Sequence, residues 1–189
     1  MKSFDLKGTA RTEVGKKSTS DLRKNNGIPC VLYGIEKEAQ AFAVTTDAVR
    51  KLVYTPDIHL VNLTIDGKEC TAILKDIQFH PVKDTILHMD FLQVVADKPI
   101  VMEVPTVLNG LAAGVKLGGK LQQAIRKIKV KALYANIPEK LTVDVTELGL
   151  GKSIKVGDLS FENLELVTPA QTVVCSVAAT RASREAASK

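Results

Sequence analysis

Tryptophan is absent from this 189-residue chain, and all aromatics together make up 4% of it. A core without large rings must be built mainly from Val, Ile, Leu and Ala. Cysteines number three, at 30, 70 and 175, in no C-x-x-C spacing. That excludes a zinc knuckle or a redox motif, and each cysteine reads as a small buried hydrophobe suited to a reducing compartment. Histidines also number three, with no H-E-x-x-H among them. No apolar run approaches the roughly 20 residues of a membrane span. The start, Met1-Lys2-Ser3-Phe4-Asp5, turns charged at once, unlike a secretory signal. The chain reads as soluble and intracellular, with no cofactor, no metal, no membrane and no small-molecule substrate.

Hydrophobic residues at 45% and charged residues at 25% suit a globular protein with a real core. The net charge of +5 is unevenly spread. Residues 1–35 hold seven Lys/Arg against three acids, residues 36–94 hold six against nine, and residues 95–189 hold thirteen against nine. A basic lead segment beside an acidic remainder points to an anionic partner at one face. A merely soluble basic surface is the plainer reading.

Strand signals outnumber helix signals. Asp66-Gly67 stands between two β-prone runs, 58–65 and 68–75, and predicts a hairpin with a type I′ turn. Runs 28–33 and 86–95 read as further strands. Ser18 or Thr19 is a candidate cap for a short helix through Asn25, stopped by Gly27. Thr46 is a candidate cap for a second helix over 47–54, with Val49, Leu52 and Val53 on one face. The pattern restarts near residue 95. Strand-like runs at 99–108, 121–134, 140–145, 153–156, 164–167 and 171–179 surround a glycine-rich loop at 109–120. The fold class is mainly β with a few short helices. Residues 181–189 read as a flexible tail.

The lead segment carries the chemistry. Arg11, Gly15, Lys16, Lys17, Ser18, Thr19, Ser20, Arg23 and Lys24 run into Ile28-Pro29-Cys30-Val31-Leu32-Tyr33-Gly34. Cations neutralise phosphates, and hydroxyls and a helix N-terminus add shorter contacts. Gly15 lets the backbone pass close to a sugar-phosphate chain. A solvated basic turn with an ordinary cap is the competing reading.

In Leu87-His88-Met89-Asp90-Phe91, alternation sets Leu87, Met89 and Phe91 toward the core and His88 with Asp90 on the polar face. That pair can be a general base, a reader of base edges, a metal site or polar filler. His80, before Pro81, reads as a turn histidine bonded to backbone. Tyr33 is either core with its hydroxyl at the rim or a platform for a stacked base. Leu148-Gly149-Leu150-Gly151-Lys152-Ser153 imitates the end of a phosphate loop, but Thr146 stands where the motif needs glycine. Lys127, Lys129 and Lys131 share one strand face, as a solvated edge or a second RNA contact.

These residues resemble a known family, the twenty-fifth bacterial large-subunit ribosomal protein in its long form, also called the Ctc or general stress protein. The markers are Arg11, Gly15-Lys16, Leu22-Arg23, the run Gly27 to Gly34, Asp76-Ile77-Gln78-Phe79-His80-Pro81-Val82-Lys83 and Leu87 to Phe91. In the second half they are Val104-Pro105, the loop from Gly110 to Leu121 and Asn136-Ile137-Pro138-Glu139. The resemblance implies an RNA-binding β-barrel domain over residues 1–95 and a β-rich domain over residues 96–180. It implies a cytoplasmic, ribosome-associated structural protein and not an enzyme. The barrel would bind 5S ribosomal RNA at an internal loop of non-Watson–Crick pairs, and neighbouring ribosomal proteins and RNA would be further partners. Carried over as RNA contacts are Arg11, Lys16, Thr19, Arg23, Tyr33, His88 and Asp90, with Lys17, Ser18 and Lys75 as additions. Strand alternation sets Lys75 beside Ile73 and Ile77. Ser20 and Asp21 depart from the family pattern, which places arginines there, so the helix start binds less strongly here. The alternatives are a stress-induced RNA binder working partly off the ribosome and an enzyme using His88 and Asp90.

Overall fold

A computed structural model describes residues 2–34 and 39–180. The tail expected over 181–189 lies outside the described residues. The chain divides into two units, Met1–Lys98 and Pro99–Lys189. Each is mainly β.

The first unit is a closed six-stranded barrel. Its strands are β1 (Lys2–Ala10), β2 (Gly27–Tyr33), β3 (Gln40–Thr45), β4 (His59–Ile65), β5 (Lys68–Phe79) and β6 (Ile86–Gln93), in the order β1-β3-β2-β6-β5-β4. Two neighbours run parallel, β1 with β4 and β2 with β6. The hairpin β4–β5 turns as its sequence requires: Asp66 and Gly67 both have positive φ, 48° and 84°. Asp66 also accepts a hydrogen bond from the Ala10 amide, which ties the end of β1 to this turn.

Alternation along β2 sends Ile28, Cys30 and Leu32 inward and leaves Val31 and Tyr33 half-buried on the outside. Phe42 and Phe91 meet at the centre with ring centroids 5.5 Å apart. Helix α2 (Thr46–Val53) buries Val49 and Leu52 in this core. Thr46 does not cap it as expected. The helix begins at that residue, and the Thr46 hydroxyl donates to the Asn26 carbonyl instead.

Helix α1 (Lys16–Lys24) starts before Ser18 and Thr19, so neither caps it. Gly15 takes the N-cap position at φ 151°, a value that suits glycine. The helix buries no side chain fully, and Leu22 lies directly over Gly27. A Cβ at position 27 would meet Leu22 Cδ1 at 2.5 Å, so glycine there lets α1 sit close to β2.

One reading of β6 is corrected. Leu87 is not a core residue. The β5–β6 register steps from Phe79–Ile86 to Gln78–His88, so Leu87 is the extra residue of a bulge. Ile86 takes the buried place, and Met89 and Phe91 follow as expected. A second bulge displaces Lys75 from the regular alternation. Leu74 pairs with Phe91 and Asp76 with Asp90, which leaves Lys75 between them and exposed rather than on the face of Ile73 and Ile77.

Cys30 is buried, and burial pushes its thiol from 9.0 up to about 12. Asp90 adds to this shift and Arg11 opposes it. Below pH 9 folded and unfolded states both keep the proton. Between pH 9 and about 12 only the unfolded state releases it, so stability falls there with rising pH. Relative to Cys30→Val, the native protein should lose about 2 kcal/mol by pH 10.5. Urea unfolding of both at pH 8 and pH 10.5 measures it, and parallel losses in the two proteins would contradict it.

The second unit contains β7 (Ile100–Asn109), β8 (Lys120–Gln123), β9 (Lys127–Ala132), β10 (Leu141–Asp144), β11 (Ser153–Lys155), β12 (Glu165–Leu166) and β13 (Val173–Ala178). They form a four-stranded sheet, β10-β7-β9-β12, and a three-stranded one, β11-β13-β8. The glycine-rich loop holds a short helix, α3 (Ala113–Lys116). Gly114 and Gly119 have no room for a side chain: a Cβ would stand 2.6 Å from the Leu150 amide nitrogen and 2.5 Å from a Val177 methyl, respectively. Strand β9 is not an edge as expected, because β12 covers its open side. Two of its lysines are paired, Lys129 with Glu103 and Lys131 with Glu165. The segment 148–153 leads into β11, which pairs antiparallel with β13 and feeds no α-helix, so a phosphate loop is not formed.

Candidate nucleic-acid interface

The outside of β2, β5 and β6 brings together residues far apart in sequence. Register places Val31 beside Asp90, Asp90 beside Asp76, and His88 beside Gln78. His88 Nδ1 lies 2.7 Å from Asp90 Oδ1, both partly exposed. The residues two apart on one strand thus form a single polar unit on the outer face.

Arg11 leaves the end of β1, its amide donating to the Ala41 carbonyl of β3. From there its guanidinium reaches the start of α1. Nη2 donates to the Glu13 carbonyl at 3.2 Å, to Ser18 Oγ at 3.4 Å and to Thr19 Oγ1 at 3.3 Å. Ser18 and Thr19 therefore orient an arginine and do not cap a helix. The first turn of α1 carries no acid, and Lys16 and Lys17 stand exposed on it. Its dipole and its cations act in the same direction on an anion.

Tyr33 ends β2 on the same outer face. Its hydroxyl is raised above its ordinary pKa by burial first, then by Asp90 and Asp76. Asp90 also acts on the Cys30 thiol, raising its pKa, and Arg11 opposes it. Arg23, exposed on α1, turns back to the barrel and donates twice to the Leu87 carbonyl. Farther along α1, Asp21 pairs with Lys24 at 3.1 Å, which uses the aspartate within its own turn. His80 is the turn histidine expected: its Nδ1 accepts from the amides of Val82 and Lys83, both at 3.2 Å.

Asp76 and Gln78 were not singled out as site residues by the sequence reading. Their signal was the alternation Asp76-Ile77-Gln78, which sets both opposite a half-buried isoleucine. Only the register of β5 on β6 shows that they flank His88 and Asp90.

Comparison with known proteins accounts for both units. Residues 6–91 match the Ribosomal L25p family, and residues 99–181 match the C-terminal domain of ribosomal protein TL5. The large ribosomal subunit protein bL25 of Phocaeicola vulgatus is 62% identical, over 99% of this chain and 98% of its own length. The Bacteroides thetaiotaomicron protein of that name is 61% identical over 99% and 97%, and the Porphyromonas gingivalis one 57% over 100% and 99%. The class is that of structural, RNA-binding proteins of the large ribosomal subunit, and not of enzymes. Within it, the chain belongs to the Ribosomal L25p family, in the two-domain form that carries the TL5 C-terminal domain.

Proposed function

We propose that the barrel binds 5S ribosomal RNA at an internal loop of non-Watson–Crick pairs, on cytoplasmic ribosomes. The observation that carries this reading is the junction of two chemistries on one rigid face. Arg11 is pre-oriented against the cationic start of α1, and Arg23 of the same helix bonds the carbonyl of Leu87, next in sequence to the outward His88–Asp90 pair. Arg11, Lys16, Lys17 and the Ser18 and Thr19 hydroxyls hold the sugar-phosphate chain. His88 and Asp90 meet base edges in a groove widened by distorted pairs, and Tyr33 lies at the rim of that contact. Arg23 on α1 and Lys75 at the β5 bulge are further cations near these contacts in the barrel unit. The second unit contacts neighbouring ribosomal protein or RNA.

Titration of the full chain against 5S ribosomal RNA at several salt concentrations tests the proposal. The logarithm of affinity should fall linearly with the logarithm of salt, and Lys16→Ala should flatten that slope by about 0.9, the value for one phosphate. Affinity independent of salt, or no preference for this RNA over an unrelated duplex, overturns it.

A further inference from the structure

The resemblance makes Arg23 an RNA contact. Its guanidinium is already committed elsewhere: Nε and Nη2 donate at 3.1 and 2.7 Å to one atom, the carbonyl oxygen of Leu87. That carbonyl belongs to the bulged residue. The β5 ladder steps over Leu87, and the β2 register begins only at Cys30–Met89. A bulge leaves its extra residue without a cross-strand partner and lets the strand direction vary locally.

The next residue is His88. The Leu87 carbonyl and the His88 amide share one planar peptide unit. Two donors in a rigid fork on that one oxygen restrain the tilt of the plane that carries the His88 amide. His88 in turn bonds Asp90 at 2.7 Å. We propose that Arg23 is a positioning residue: by clamping the β6 bulge to α1, it aims the His88–Asp90 pair at the bases and does not serve as a phosphate contact. The inference rests on the reading that this pair contacts RNA.

The test uses the full chain with Arg23→Ala and Arg23→Lys, the second of which keeps the charge but not the fork. Each is titrated across a salt series against 5S ribosomal RNA and against the same RNA with its internal loop converted to Watson–Crick pairs. Both variants should lose about tenfold or more in affinity for the native loop and little for the converted one. The salt slope of Arg23→Ala should change by much less than the 0.9 of a lost phosphate contact. Adding Asp90→Ala to Arg23→Ala should cost little more. A slope reduced by about 0.9 with loop preference intact, or full preference in Arg23→Lys, overturns the proposal. In the free protein, the ring proton resonances of His88 should move in both variants while those of His59 stay. If they do not move, Arg23 does not position His88. If they move while the native protein shows no loop preference, the positioning stands and the RNA reading fails.

Discussion

Phe91→Ala should destabilise the first unit by about 3–5 kcal/mol. Phe91 is 0% exposed and lies on β6, which sits between β2 and β5 in the barrel. In register it stands beside Leu32 on one side and Leu74 on the other. Phe42, also 0% exposed, packs on its ring at 51°, an arrangement that adds about 0.5–1.5 kcal/mol beyond burial. The surrounding core is Val, Ile, Leu and Met on a hydrogen-bonded closed barrel. Such a frame cannot collapse to fill the space of a lost ring, so the cavity cost adds to the transfer cost. Urea unfolding followed by circular dichroism measures the change as a lower midpoint at constant slope. A loss below about 1 kcal/mol would show that the barrel relaxes around the gap.

The same barrel shows which elements a sequence reveals. The β4–β5 hairpin was legible because its turn demands positive φ at two positions, and Asp66-Gly67 meets that demand locally. Strand β1 was not read. Its inward positions are Phe4, Leu6 and Gly8, and the glycine gives no apolar signal although the Phe42 ring needs that space: a Cβ there would stand 2.7 Å from it. Closure by the parallel β1–β4 pair is non-local, so no turn announces it. The two bulges of β5 and β6 were invisible for a different reason. Alternation counts residues along one strand, whereas a bulge is a mismatch between two. That mismatch moved Leu87 out of the core and Lys75 into solvent.

For the candidate site, residue chemistry was legible and the partners were not. Arg11, Lys16 and the hydroxyls marked a polyanion surface by type. That Arg11 binds Ser18 and Thr19, and that Arg23 binds Leu87, depends on where the β1 end and the β6 bulge lie in the closed barrel. Asp90 and His88 needed only the period of two, because from Met89 onward β6 is regular.

Asp90→Ala separates base reading from simple charge attraction by the sign of its effect. The outer face places Asp90 in register with Asp76, so two carboxylates lie where a polyanion is proposed to bind. If phosphate attraction alone held the RNA, removing one negative charge would strengthen binding and shift the salt dependence little. If Asp90 accepts from an exocyclic amine, its loss should weaken binding to the native internal loop by about 1–3 kcal/mol, roughly 5- to 150-fold. Binding to a fully paired duplex should then rise slightly, since repulsion is relieved there without a contact being lost. His88 shares the outcome. Asp90 fixes its ring through the 2.7 Å contact, so His88→Ala on top of Asp90→Ala should cost much less than it does alone. Filter binding or calorimetry with both RNAs at one salt concentration gives the answer. Tighter binding of Asp90→Ala to the native loop would remove base reading from this surface and leave only its cations.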